Sequence, residues 1–530
     1  MDTDTVPTDL TWPEDRVFPL FQPAQHLDVY NVHSASYAVQ LSLATLVGLV
    51  NRPQPRVYLL DRPHDAFWLE EALSSIPQKL SPLTQDDILH DLLTKYRSLV
   101  QGLIIYDPAL IDTANIATML AAQRNAIAVT PDQARDLQQA PYNLSILTDL
   151  RTYKWSNRLQ AYRWAKENLR SGASPRLVAG LDPNLALGVR PFLVATRSFI
   201  YRLDPLGFLP DPRVGLLSER CLMQQIMQSY APNNAGHFGW FIQEGSGVSI
   251  TSRAAMPVFA SDFYSNLEVW GSLHNIQPAL PSIQQAIPTP DPGKVYVSFT
   301  MSEGDNLQYI QERMLQLWQD PNRGTIPIGW PIPAVLLEAA PTLLDYYVRT
   351  ATAADEFLAA PSGVGYMYPT NWPDAQLSSF LAHTGRLMQS MNLTTVEVLD
   401  SNFTQDIGLA LRALLKGSGM ALIDKKIQQR YAEELKSAGV RGILSGGGQK
   451  NVSWSTFADV PIYQNLGIAS NVDEALSMIK EGADDYKGRP AFLNIYVLAW
   501  KMTPLDLKQV ALKLGEDYEF VTPGTLLAML

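Results

Sequence analysis

Carboxylates that close predicted strands just ahead of helices are the residues here best placed for proton or nucleophile chemistry. Glu303, Asp305 and Asn306 follow the apolar run Val297–Met301. Two acids and an amide so close together can bind a sugar hydroxyl or a cation, or supply a proton. Capping the following helix would employ only one of the two acids. Asp400 ends Thr395–Leu399 and Asp424 ends Ala421–Ile423, where turn or N-cap use is the structural alternative. Glu397 lies inside its run and becomes a candidate if its side chain faces inward. Glycoside cleavage takes two carboxyl groups, about 5–5.5 Å apart for retention or about 6.5–9.5 Å for inversion. Asp305 with Asp400 is the favoured pair, with Glu303 as substitute.

A second constellation supplies sugar-binding surface. Pro361–Trp372 reads PSGVGYMYPTNW. Its glycines suggest positive φ or close backbone approach, and Tyr366 and Tyr368, two apart, share a side if extended. Tyrosine and tryptophan faces stack on sugar C–H faces while hydroxyls bond to sugar hydroxyls, so Tyr366, Tyr368 and Trp372 are substrate-binding candidates; packing as core is the alternative. Trp240, Glu244, Asp262 and Asn266 stand at expected strand ends further upstream, where they would roof a pocket or pack an interface. Gln449 lies in the glycine loop Ser445–Asn451, and Trp500 ends an apolar run.

Gly363-Val-Gly365-Tyr366-Met367-Tyr368-Pro369 resembles the signature of the GxGYxYP glycoside hydrolase family. Leu46–Leu60, Val258–Trp270 and Ser302–Asn306 are similar to the family too, so the resemblance runs from about residue 18 to the end. It implies an N-terminal α/β region followed by a catalytic-type barrel. It transfers no catalytic pair; that comes from the carboxylates above.

The elements that must position these groups follow the apolar pattern. Arg56–Asp61, Gly102–Asp107 and Ala126–Pro131 read as buried strands, each followed by a helical pattern, which argues for mostly parallel sheet. Phe192–Arg202, Gly239–Glu244 and Pro257–Asp262 read as strands of a less regular stretch. Ala286–Lys294, with three prolines, interrupts both helix and strand. After it, eight or nine strand–helix units fit a (β/α)8 barrel or an irregular relative, whose chemistry sits at strand C-termini. The expected fold class is therefore α/β: a leader over residues 1–17, an N-terminal α/β region of one or two lobes over 18–285, a linker over 286–294 and a C-terminal (β/α)8-like or irregular β/α barrel over 295–530.

Composition narrows the chemistry further. The single Cys221 excludes an intrachain disulfide and a thiolate zinc cluster. A net charge of −11 without a long basic run makes nucleic acid a poor partner. The apolar stretch Tyr37–Val50 falls short of a membrane span. With no signal peptide in view, a cytoplasmic protein is expected, or a secreted one if a leader was removed. No dinucleotide, P-loop, serine-elbow or zincin motif is present, so no cofactor and no metal is expected. Of seven histidines only His383 follows the linker, too few for a His₂Asp metal site in the barrel. Two readings stay open: a glycoside hydrolase working through paired carboxylates, and a non-catalytic carbohydrate-binding or scaffold protein on a related barrel.

Overall fold

The computed structural model describes residues 10–276, 278, 287–302, 306–400, 424–446, 452–486 and 488–530. The chain is mixed α/β and divides into two compact units. The first holds Met1–Ile250, Phe259–Gln277 and Glu338–Leu343; the second holds Thr251–Val258, Pro278–Leu337 and Leu344–Leu530.

Three small parallel sheets organise the first unit. β1 (Leu27–Asn31), β2 (Val57–Leu60) and β3 (Gln78–Leu80) form one in the order β2-β1-β3. β4 (Gly102–Ile105), β5 (Ala126–Val129) and β6 (Ile146–Asp149) form the second, in the order β5-β4-β6. β7 (Leu177–Gly180), β8 (Phe199–Tyr201), β9 (Gly236–Gly239) and β10 (Val258–Phe259) form the third, in the order β10-β9-β7-β8. The apolar stretch Tyr37–Val50 is one helix, buried from Leu41 to Val50. Its polar residues are spent on a strand: Ser42 Oγ donates to the Ala128 carbonyl at 2.8 Å and Thr45 Oγ1 accepts from Ala128 N–H at 3.0 Å. Apolar all round apart from such contacts, it is a core helix. Among the described residues no helix is long and apolar enough to cross a membrane.

Three expectations change here. From Leu10 onward the chain is packed and not a free leader: Leu10 is buried, Thr11 bridges Leu20, and Val17 N–H donates to Glu338 Oε2 at 2.8 Å. Phe192–Arg202 is helix Arg190–Ala195 followed by β8, because Pro191 sits in the first helical turn where its missing N–H costs nothing. Glu244 does not end a strand; it opens helix Glu244–Arg253.

The second unit is built on one large sheet. Its strands are β11 (Val295–Ser302), β12 (Ile328–Ile332), β13 (Asp355–Ala359), β14 (Thr395–Val398), β15 (Gly442–Ser445), β16 (Ser453–Phe457), β17 (Val460–Gln464), β18 (Ile468–Ala469), β19 (Ala491–Leu498) and β20 (Tyr518–Phe520). The order is β16-β17-β15-β14-β13-β12-β11-β19-β18, with β20 beside β11. Apart from the hairpin strand β16, the pairs are parallel.

This sheet curls. Ser302 Oγ on β11 donates to Glu397 Oε1 on β14 at 3.0 Å, although a flat sheet would hold those strands about 14 Å apart. Leaving β16 and β20 aside, the strands follow the cyclic order of an eight-stranded ring. Among the described residues no ladder joins β17 to β18, so of the two expected forms the described sheet has the irregular one, a curled half-barrel. Part of the gap is spanned by Tyr463 of β17, whose hydroxyl donates to Phe492 O at 2.9 Å and accepts from Asn494 N–H at 3.1 Å, both on β19. Tyr463→Phe leaves two buried backbone groups unpaired and should destabilise this unit by about 1–3 kcal/mol in a urea titration. An unchanged midpoint would mean that the hydroxyl does not hold the curl.

At the opposite ends of the strands, the last helix, Pro523–Ala528, fills the interior. A Cβ on Gly329 would meet Pro523 Cγ at 2.5 Å, and one on Gly442 would meet Leu527 Cδ1 at 2.5 Å. Glu356 Oε2 accepts Gly524 N–H at 2.8 Å in that helix's first turn. One mouth of the curled sheet is plugged, leaving the C-terminal strand ends for a site.

Candidate functional site

Register decides which acids face inward. Residues opposite one another on adjacent parallel strands share a face, so Ser298, Thr300, Asn494 and Tyr496 lie on one side of β11 and β19. Ser302 lies on that side too, and its bond to Glu397 places the glutamate there. Below this layer, Asn494 Nδ2 donates to Ser298 Oγ at 2.7 Å and to Thr300 Oγ1 at 3.1 Å. The layer above is less well satisfied. Glu397 Oε2, Tyr496 Oη and Asn465 Oδ1 are buried without a hydrogen-bond partner among the described residues. The Tyr496 hydroxyl lies near enough to Glu397 for each to influence the other's titration, and Asn465 eases the ionisation of Tyr496, but without regular hydrogen-bond geometry.

Burial dominates the electrostatics. It pushes the Glu397 carboxyl up to about 7, against smaller lowering contributions from Ser302 and Tyr496. Burial also drives the Tyr496 phenol far above its ordinary value, and the Glu397 charge adds to that. A carboxyl group with this affinity for protons can donate one near neutrality.

The signature loop is fastened to the same strand end. Ser362, at φ +64°, donates its N–H to the Glu397 carbonyl at 2.8 Å. Its hydroxyl lies 2.9 Å from Met367 O and 3.0 Å from Leu399 O, and accepts Leu399 N–H at 3.2 Å. Gly363 follows at φ +133°, where a Cβ would lie 2.5 Å from Thr384 Oγ1. This glycine is there for both conformation and space. Tyr366 pairs with Val258 through two backbone bonds of 2.9 Å, and Tyr368 N–H donates to Ser252 Oγ at 3.0 Å. The two tyrosine hydroxyls meet at 3.3 Å with rings edge to face. Asp400, also buried, accepts the hydroxyl of Thr370, just after the signature, and Thr370 N–H at 3.4 Å. Glu397, Asp400, Tyr366 and Tyr368 are thus tied together through Ser362 and Thr370. Neither tether had a motif to announce it; Ser362 stands out only as the residue preceding the signature's first glycine.

The other described candidates are divided between the two units. Trp372 is buried against Phe380, ring centroids 4.9 Å apart. Asn306 Nδ2 donates to Val258 O at 3.2 Å. Asp424 caps helix Lys425–Lys436. In the first unit the Asn266 amide imitates a strand partner for Leu59, accepting its N–H at 2.9 Å and donating to its carbonyl at 3.0 Å. Asp262 is buried, its carbonyl accepting Val189 N–H at 3.3 Å. Trp240 is half-buried after β9, and Glu244 is exposed. Trp500 is exposed, its ring edge toward Tyr309 at 6.2 Å. Glu303, Asp305 and Gln449 lie outside the described residues.

Comparisons with known proteins agree along the whole chain. The model described as "GxGYxYP putative glycoside hydrolase C-terminal domain" matches residues 293–530. Models for the first, second and third GxGYxYP N-terminal domains match residues 26–98, 100–173 and 175–272. A solved structure described as "a putative hydrolase from Bacteroides thetaiotaomicron VPI-5482" is similar at TM-score 0.79 and 18% identity, covering 100% of this chain and 98% of that one. At that identity the likeness speaks for the fold. No curated protein matches the chain.

Proposed function

The chain belongs to the GxGYxYP family, and from that premise we propose that it is a glycoside hydrolase acting on a carbohydrate through paired carboxylates at the C-terminal end of an irregular β/α barrel. The observation that carries this reading is the inward-facing Glu397, its carboxyl pushed up to about 7 by burial, three residues from Asp400 on a strand end laced to the signature loop. Glu397 is assigned as proton donor to the glycosidic oxygen. Asp400 is assigned as the partner, held by Thr370 and acting on the anomeric carbon or on the attacking water. Asp305 and Glu303, after β11, remain the alternative partners. Tyr366 and Tyr368 bind sugar through hydroxyl and ring.

The burial of Glu397, Asp400, Tyr366 and Tyr368 favours a second reading. In it these groups only hold the loop to the sheet, and the chain binds carbohydrate without cleaving it. Release of reducing ends from a panel of glycans separates the two. Hydrolysis predicts release from at least one glycan, lowered at least about a hundredfold by Asp400→Asn or Asp305→Asn. Binding without release, or full turnover in both variants, would support the scaffold.

A further inference from the structure

The first unit carries an aromatic cluster that shares no residue with these groups. Tyr153 and Trp155 stack at 4.7 Å with planes 28° apart, and Trp164 closes on them at 4.9 Å and 5.4 Å. Tyr153 is 39% exposed, and both tryptophans are only half-buried. The geometry is built in. Lys154, between the two stacked rings, adopts φ +52°, an uncommon conformation for a residue with a Cβ. Asn157 then caps helix Arg158–Leu169, which buries Leu159, Ala161, Tyr162, Ala165 and Leu169 and leaves Trp164 off that face. The chain accepts backbone strain to keep three large rings together at the surface and not in the core.

Charge around the cluster runs against the whole. In a chain of net charge −11, residues 151–176 carry seven basic side chains against Glu167 alone. Several of the arginines are already matched: Arg151 to Asp149, Arg158 to Glu219 and Arg163 to Glu167. Lys154, beside the rings, is exposed and has no ion-pair partner among the described residues. A polymer of dense phosphate charge would ask for many free cations. A sugar chain with one carboxylate per ring asks for a ring-stacking face with a cation beside it.

We propose that Tyr153, Trp155, Trp164 and Lys154 form a surface binding site for an acidic polysaccharide of uronate type. The proposal rests on the reading that the chain works on glycans, but it needs no hydrolysis at the site. It is tested with the full-length protein by affinity electrophoresis in gels containing polygalacturonate, alginate or neutral dextran. The wild type should be retarded by at least one acidic polymer and not by dextran, and added salt should weaken the effect. Tyr153→Ala combined with Trp155→Ala should weaken retardation at least about tenfold. Lys154→Gln, which removes no packed ring, should remove most of the salt dependence. Absence of retardation by both acidic polymers would overturn the proposal. So would equal retardation by dextran, stronger retardation by single-stranded DNA, or no effect of either variant. Turnover of short soluble oligosaccharides should be unchanged in these variants, so a failed hydrolase reading would register there and not in the gels.

Discussion

Replacing Glu397 by glutamine should lower turnover of a cleavable glycan at least about a hundredfold, the contribution of a positioned general acid, while changing stability in a pH-dependent way. The native carboxyl titrates at about 7 because it is buried, against 4.5 ordinarily. Between those values the folded protein holds a proton that the unfolded chain has released. This group's stabilisation is therefore complete below about pH 4.5 and is lost as pH rises through about 7. The difference amounts to about 3 kcal/mol above that range. Glutamine keeps the shape without the charge. Glu397→Gln and wild type should unfold alike near about pH 4, and the variant should be the more stable near about pH 8. Glu268 and Asp65, in the first unit and also raised to about 7 by burial, tilt both proteins in the same direction and drop out of the comparison. A difference independent of pH would mean that Glu397 is not the titrating group.

Gly363→Ala should be among the most damaging single-methyl changes in the second unit. At φ +133° an L-residue is strained by about 1–3 kcal/mol. The added Cβ would lie 2.5 Å from Thr384 Oγ1 and 2.9 Å from its Cγ2, and a β-branched side chain has little freedom to retreat. Overpacking adds about 1–3 kcal/mol. Because Val364 N–H also donates to Thr384 Oγ1 at 3.1 Å, the displacement would pass into Tyr366 and Tyr368. Gly439→Ala is the control: its φ is +93°, yet a Cβ there meets nothing within 4 Å, so only the backbone share should appear. Equal losses at the two positions would remove the steric part of the argument.

How far the sequence carried is clearest where two signals coincide. Strands β2, β4 and β5 were legible because their apolar runs met clear breakers. The signature loop was legible through its glycines and tyrosines. Periodicity alone could not separate helix from strand in Phe192–Arg202, since a short apolar run fits both. The spacing of Leu307, Ile310, Met314, Leu317 and Trp318 suggests one helix over Asn306–Gln319, where the structure has two, Asn306–Gln311 and Arg313–Trp318. Asp400 was found by its place at a strand end. Glu397 was harder, because which face a strand turns inward is set by register across several strands. The curl itself depends on Tyr463 and on the buried last helix, contacts between residues far apart in the chain. Asn266 misled for a related reason: an amide that pairs with a backbone edge reads, in sequence, like one waiting for a sugar.

The central claim is that a carboxyl group inside the curled sheet protonates a glycosidic oxygen. Its most direct test is a crystal structure of the Asp400→Asn protein with a bound oligosaccharide that the wild type cleaves. The prediction is a Glu397 oxygen about 2.6–3.2 Å from the glycosidic oxygen, with a sugar hydroxyl on Tyr496 or Asn465. An oligosaccharide bound only at the Tyr153–Trp155 surface, or with its glycosidic oxygen out of reach of Glu397, would contradict the account.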